Sequence, residues 1–215
     1  MNQPKIDLIF PTPLFANGLP REFTQSELDF VDKYSKPEMT YSNYGNATSI
    51  NTYVLHEPEL KDLHDFCLEQ VKLYIDIIIN PINKIEPFIT QSWLNYTEKG
   101  GFHHKHNHPN SFLSGVIYIN ADESKDKINF YSSAYKQIEI APKEYNAANS
   151  NSLWVSTKTG MIILFPSSLE HRVDKVESDQ TRISLSFNTF IDGTLGDRPA
   201  LTELFNVQQR KNING

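Results

Sequence analysis

Two hydrophobic periods divide the chain. From Pro58 to Asn80 the apolar residues return every three or four positions. Leu60, Leu63, Cys67, Val71, Tyr74 and Ile78 fall on one helical face and the charges on the other. That spacing predicts an amphipathic helix, which Asn80-Pro81 ends. Earlier, Thr24 and Glu27 spell a T-x-x-E capping box ahead of Leu28 and Val31, so a short helix is expected there. Residues 6–15, IDLIFPTPLF, are apolar but carry two prolines, the pattern of an edge strand or extended arm. After Pro87 the period shortens. Phe88–Tyr96, Ser111–Asn120, Ile128–Tyr131, Lys136–Ile140, Ser152–Ser156, Met161–Phe165 and Arg182–Phe190 read as strands, separated by Gly, Asn, Pro and Ser clusters. Short strands at near-regular spacing predict a sandwich or barrel. The expected layout is one domain: an N-terminal arm and helical flank over 1–87, a β core over 88–192 and a C-terminal tail over 193–215. The Asn- and Ala-rich stretch Lys143–Ser152 reads as a loop, and the polar end Gln208–Gly215 as disordered.

Composition narrows the function. The net charge is −6 with no basic stripe, which argues against binding a nucleic-acid backbone. Cys67 is the only cysteine, so no disulfide forms within the chain, and a reducing cytoplasm fits. It lies on the apolar helix face with no cationic neighbour, the setting of a buried structural thiol. Met1–Ile6 is polar, unlike a signal peptide, and the apolar run at Ile75–Ile79 is far too short to span a bilayer.

The chemistry concentrates in histidine. Four of the seven histidines stand in GGFHHKHNHPN, at 103, 104, 106 and 108. In an extended segment residues two apart share a side, so His106 and His108 can face one interior, and His104 can join them. Neutral imidazole ligates iron, zinc, copper and nickel. A third ligand must come from elsewhere, and His171, after GMIILFPSSLE, is the candidate. A solvated histidine-rich loop is the plain alternative. His56 and His64, on or before the helix, read as surface residues. Arg182 stands eleven residues after His171 in TRISLSFN. If the two lie on neighbouring strands joined by VESDQ, both can point into one pocket. A guanidinium matches a carboxylate bidentately, and Ser184, two residues on, can donate to the same carboxylate. An arginine in an apolar strand needs an anionic partner. No acidic residue stands at a matching place in the neighbouring strand segments, which favours a ligand over an internal salt bridge.

SWLNYTEKGGFHHKHNHPNSFLSGVIYIN, GMIILFPSSLEHRV and RISLSFNTFIDGTLGD together resemble the iron(II)- and 2-oxoglutarate-dependent oxygenases over about residues 91–197. They are most similar to a branch with an H-x-H-P motif found in bacteria and in tailed phages of marine bacteria. The resemblance implies a mainly β (α+β) fold, the double-stranded β-helix or jelly-roll barrel with flanking helices. It implies iron(II) held by His106, His108 and His171, and 2-oxoglutarate anchored by Arg182 and Ser184. Dioxygen is the oxidant, with ascorbate as a candidate reductant. Tyr96 and Tyr118 match tyrosines that line the 2-oxoglutarate pocket in prolyl-hydroxylase-like members, although core packing explains them equally well. The family usually carries H-x-D or H-x-E, whereas His108 stands here where the acid would be. His104 is the substitute ligand if the register is shifted.

The expected activity is hydroxylation of a substrate C–H bond, on a peptide or protein or on a small molecule, with no membrane partner. The expected setting is the cytoplasm of a bacterial host cell, with a homodimer as the candidate assembly. Asn43–Tyr53 and the 143–152 loop are candidates to border the pocket. A rival is a cupin with a three-histidine site and no 2-oxoglutarate. Gly100 before His106 and Gly160 and Pro166 before His171 fit it in part, but the glutamate of its first motif is missing. A non-catalytic binding module would close its metal site with a fourth ligand such as His103 or His104.

Overall fold

The computed structural model describes residues 5, 7–133, 138 and 140–204. Its centre is a seven-stranded antiparallel sheet. In spatial order the strands are β1 (Phe15–Gly18), β9 (Met161–Pro166), β6 (Leu113–Asn120), β11 (Arg182–Gly193), β4 (Ile85–Thr97), β3 (Asn46–Ser49) and β2 (Thr40–Asn43). A smaller sheet runs β5 (His103–His106), β10 (His171–Val173), β7 (Lys127–Tyr131) and β8 (Ser152–Ser156). The helices α1 (Gln25–Lys33) and α2 (Lys61–Tyr74) cover the large sheet.

Side-chain alternation builds these layers. Along β6 and β9, Leu113, Ile117, Ile119, Ile162 and Leu164 join Leu63, Cys67 and Val71 of α2 in the larger core. Val116, Tyr118, Ile163 and Phe165 point the other way, onto Ile128 and Phe130 of the small sheet. The central strands are therefore apolar on both faces, and each fully buried large side chain contributes roughly 1.5–3 kcal/mol. Gly115 is needed at the crossing: a Cβ there would stand 2.2 Å from the Phe187 ring.

The capping box at Thr24 and Glu27 forms, and Arg21 closes on the buried Glu27 at 2.6 Å. Residues 1–87 are more than a helical flank, since β1, β2 and β3 all belong to the large sheet. The N-terminal edge strand lies at 15–18, and residues 7–14 are outside any strand. Of the expected helical face, Leu60, Leu63, Cys67, Val71 and Tyr74 are buried, but Ile78 is 39% exposed. A π-turn over Ile75–Ile79 rotates the chain, buries Ile75 instead and closes on Asn80 in the left-handed region. The strand expected at Lys136–Ile140 lies mainly outside the described residues; Ile138 and Ile140 are exposed and outside any strand. The Gln208–Gly215 tail lies outside them altogether. Among the described residues no helix is long and apolar enough to cross a membrane.

Candidate metal centre and co-substrate pocket

His106 and His171 are direct partners across the β5–β10 ladder, with ring centroids 4.4 Å apart. His108 lies just beyond β5, where its backbone N–H donates to the Ser167 carbonyl at 2.9 Å. Its ring sits 4.9 Å from His106 and 5.2 Å from His171. One ring nitrogen from each of the three comes within 4.8 Å of the others. His104 is exposed and outside that group. It clusters instead with His103 and His106, whose ligand atoms also gather within 4.8 Å.

Backbone carbonyls orient two of the three rings. His106 Nδ1–H donates to the His104 carbonyl at 2.8 Å, and His171 Nδ1–H to the Leu169 carbonyl at 3.0 Å. A carbonyl only accepts, so each Nδ1 carries the proton and each Nε2 keeps its lone pair. Burial, for His171 beneath Phe165 and Phe130, keeps the rings neutral. It pulls His171 down to about 3 and His108 to about 4, with neighbouring histidines adding to the effect. His106 is lowered as well, mainly by burial. Three neutral nitrogen donors on one side of a partly enclosed space suit a divalent metal that keeps positions open for other ligands.

The space beside them is a narrow cleft open to solvent, with a cavity volume of about 40 Å³. Strand register decides what lines it. Tyr118, Ser184, Asn95 and Thr48 form one row across β6, β11, β4 and β3. Val116, Ser186 and Trp93 form the next, and Arg182 pairs with Thr97. Arg182, Ser184, Ser186, Tyr118, Asn95, Trp93 and Thr97 all line the cavity with the histidines. The Tyr118 hydroxyl is fully buried beside the Thr157 hydroxyl, with which it makes no well-formed hydrogen bond, and Asn46 Oδ1 at the cavity wall is buried without a partner. Burial pushes the Tyr118 phenol well above its ordinary range, so it stays protonated and able to donate.

Three expectations need correction. Tyr96 is not in the pocket. It shares a row with Ile183 and Ala47 on the opposite face, where its hydroxyl donates to the Val31 carbonyl at 2.6 Å. The alternation Trp93, Asn95, Thr97 against Leu94, Tyr96 carried the signal that would have found the inward positions. His171 and Arg182 do not lie on neighbouring strands, because β10 and β11 belong to different sheets. They line one cavity from opposite walls. Arg182 also has an acidic partner that strand matching missed. Its Nη1 stands 3.4 Å from Asp126 Oδ1, with both side chains almost wholly buried. Asp126 sits in the turn before β7, its other oxygen accepting the Asp122 N–H at 2.9 Å. A wider groove lined by Lys125, Lys127, Arg172 and Asp174 lies across this ion pair, but no histidine reaches it. Within Asn43–Tyr53, Asn46 lines the cavity, whereas no residue of the 143–152 loop does.

Residues 91–188, a little under half of the chain, match the family described as "Putative 2OG-Fe(II) oxygenase". No curated protein sequence matches. Among solved structures, a 2OG-Fe(II) oxygenase family oxidoreductase from Burkholderia pseudomallei is 14% identical, with 81% of this chain and 83% of that chain covered and a TM-score of 0.53. A prolyl-4-hydroxylase from Pseudomonas putida is also 14% identical, covering 82% and 92%, with a TM-score of 0.52. HygX from Streptomyces hygroscopicus, solved with nickel, 2-oxoglutarate and hygromycin B, is 11% identical, covering 83% and 82%, with a TM-score of 0.55. These likenesses establish the shared double-stranded β-helix fold. The matched residues 91–188 carry all three clustered histidines and Arg182.

Proposed function

We propose that the chain is a hydroxylase in which His106, His108 and His171 hold iron(II), and Arg182, Ser184 and Tyr118 receive the far carboxylate of 2-oxoglutarate. The observation that carries this reading is that Arg182, Ser184 and Tyr118 line the same cavity as the three clustered histidines. A carboxylate between Arg182 and Tyr118 would accept from both the guanidinium and the phenol. The donor set fits iron as well, with two rings already fixed in the tautomer that offers Nε2. Bound together, iron(II), 2-oxoglutarate and dioxygen supply an oxidative decarboxylation to succinate coupled to oxygen insertion into a C–H bond.

The protein's own contribution is placement. The carbonyls of His104 and Leu169 hold two imidazoles against rotation. Phe165 and Phe130 shield His171 from water. Arg182, already ion-paired to Asp126, keeps further guanidinium N–H groups for a carboxylate in the cavity. Trp93, beside the His108 ring, and the amide pair Asn46–Asn95 form a wall from which a substrate can be oriented. A peptide or small-molecule substrate fits this uncharged wall, and ascorbate fits as the reductant that returns the metal to iron(II). The cupin alternative gives no role to Ser184 in the cavity or to the guanidinium N–H groups that Asp126 leaves free. Release of labelled carbon dioxide from isotope-labelled 2-oxoglutarate by the anaerobically iron-loaded protein, once exposed to air, tests the proposal. Absence of both turnover and 2-oxoglutarate binding would return the cupin or binding-module reading.

A further inference from the structure

We propose that His103, His104 and His106 form a second site for a late divalent transition metal, and that filling it excludes the first because both need His106. The inference rests on the assignment of His106, His108 and His171 to iron, and extends it.

The strand irregularity explains why three histidines so spaced converge. In the β5–β10 ladder His171 opposes His106 and Val173 opposes His103. Three steps on β5 therefore face two on β10, which is one extra residue on the edge strand. In a regular strand His103 and His106 would point to opposite faces. The extra residue brings them to one side, with rings stacked 4.5 Å apart. His104 is gathered to the same place, its ring 5.2 Å from His103 and 5.1 Å from His106. The Tyr44 ring, itself edge-on to Phe102, packs against the exposed side of His104. One nitrogen from each histidine already lies within 4.8 Å of the other two. Zinc–nitrogen bonds of about 2.0–2.1 Å put tetrahedral ligands about 3.4 Å apart, so only small ring rotations are needed.

Exclusion follows from one hydrogen bond. His106 Nδ1 is occupied by the His104 carbonyl, which leaves a single nitrogen free. That nitrogen serves either His108 and His171 on the inner side or His103 and His104 at the mouth. Imidazole sites rank copper, nickel and zinc above iron(II). The mouth site therefore works as an inhibitory trap: such a metal draws His106 away from the inner pair.

Zinc binding to the full-length chain, measured by equilibrium dialysis with metal analysis, tests this. Wild type is expected to bind one zinc ion, not two. His108→Ala leaves the mouth site intact and His104→Ala leaves the inner site intact, so each is expected to bind one. The double variant His104→Ala/His108→Ala breaks both sets. Its binding should weaken by more than the roughly 10–100-fold that loss of a supporting contact causes. Two ions on wild type, or a double variant as tight as His108→Ala alone, overturns the proposal. Loss of zinc in His104→Ala with retention in His108→Ala would leave the mouth site standing and remove the inner one. Circular dichroism of each variant keeps misfolding separate from ligand loss.

Discussion

Replacing Arg182 by alanine is expected to do two separable things. Its guanidinium is paired with Asp126 at 3.4 Å, with side-chain exposures of 4% and 3%. Removing one partner of such a pair strands a buried carboxylate, at a cost of roughly 3–5 kcal/mol. One long contact puts this pair at the low end, about 3 kcal/mol. At about 2–4 °C per kcal/mol for a chain of this size, the melting temperature should fall by roughly 6–12 °C. Separately, loss of the anchor should weaken 2-oxoglutarate binding by about 2–5 kcal/mol, or roughly 30-fold to several thousand-fold. The double variant Arg182→Ala/Asp126→Asn distinguishes the two effects. With no stranded charge it should recover most of the melting temperature and still fail to bind 2-oxoglutarate. Calorimetric titration into the manganese-loaded proteins, beside melting curves on the same preparations, reads both. Affinity like that of wild type in the double variant would mean that Arg182 is only half of a structural ion pair, and the co-substrate assignment would fall with it.

Tyr118→Phe should change the melting temperature of the metal-free protein little, because the hydroxyl makes no well-formed hydrogen bond, yet weaken 2-oxoglutarate binding by about 1 kcal/mol. Tyr96→Phe should do the reverse, losing about 1 kcal/mol of stability with its bond to Val31 while 2-oxoglutarate titrates as in wild type. In a His104→Ala background, which leaves only the inner set complete, adding His171→Ala should abolish iron binding after anaerobic loading, and undiminished metal content would remove the inner site. Asp126→Asn should melt lower without ligand and bind 2-oxoglutarate tighter, by about 2 kcal/mol or roughly 30-fold for two like charges about 8 Å apart at an effective dielectric of about 20. Weaker binding would show that Asp126 is needed to aim Arg182. Burial would raise the Glu27 carboxyl, but its bonds to Arg21 and Thr24 outweigh that and hold it below its ordinary 4.5. Its contribution is thus complete above about pH 4.5 and lost as pH falls through the lower folded value. The stability gap between wild type and Glu27→Gln should be full at pH 6 and narrow as the pH is lowered below 4.5, as melting curves across that range would show.

What the sequence discloses follows the range of each interaction. The capping box and the α2 face are set by residues three and four apart, and both are legible down to Tyr74. The reading fails at Ile78 because a π-turn changes the period without any distinctive residue. His106, His108 and His171 are legible as a chemical group, and the structure brings them together. Tyr96 misleads because spacing from a motif says nothing of which sheet face a residue takes. The alternation around it does: Trp93, Asn95 and Thr97 are polar or amphipathic, and Leu94 is buried against the helices. Asp126 is out of reach, since a turn residue 56 positions from Arg182 has no local signature. The extra residue in β5 is equally hidden, yet it decides which of the clustered histidines turn inward.

Asp126 and His108 explain one another once charges are added up over the proposed occupancy. Three neutral imidazoles cancel none of the two positive charges on iron(II). The 2-oxoglutarate dianion cancels both, so Arg182 by itself would leave the buried assembly at +1. Asp126 returns it to zero. With a carboxylate at the His108 position, as in the usual H-x-D pattern, the metal's own ligands would remove one charge, and Arg182 would be balanced without a neighbour. A second acid would then overshoot. The anionic group that is missing beside the metal is thus present at the far end of the co-substrate, 3.4 Å from the guanidinium. Because an uncompensated charge is costly to bury, the two substitutions belong together. Restoring the ligand carboxylate with His108→Asp should accordingly be tolerated better in an Asp126→Asn background than alone.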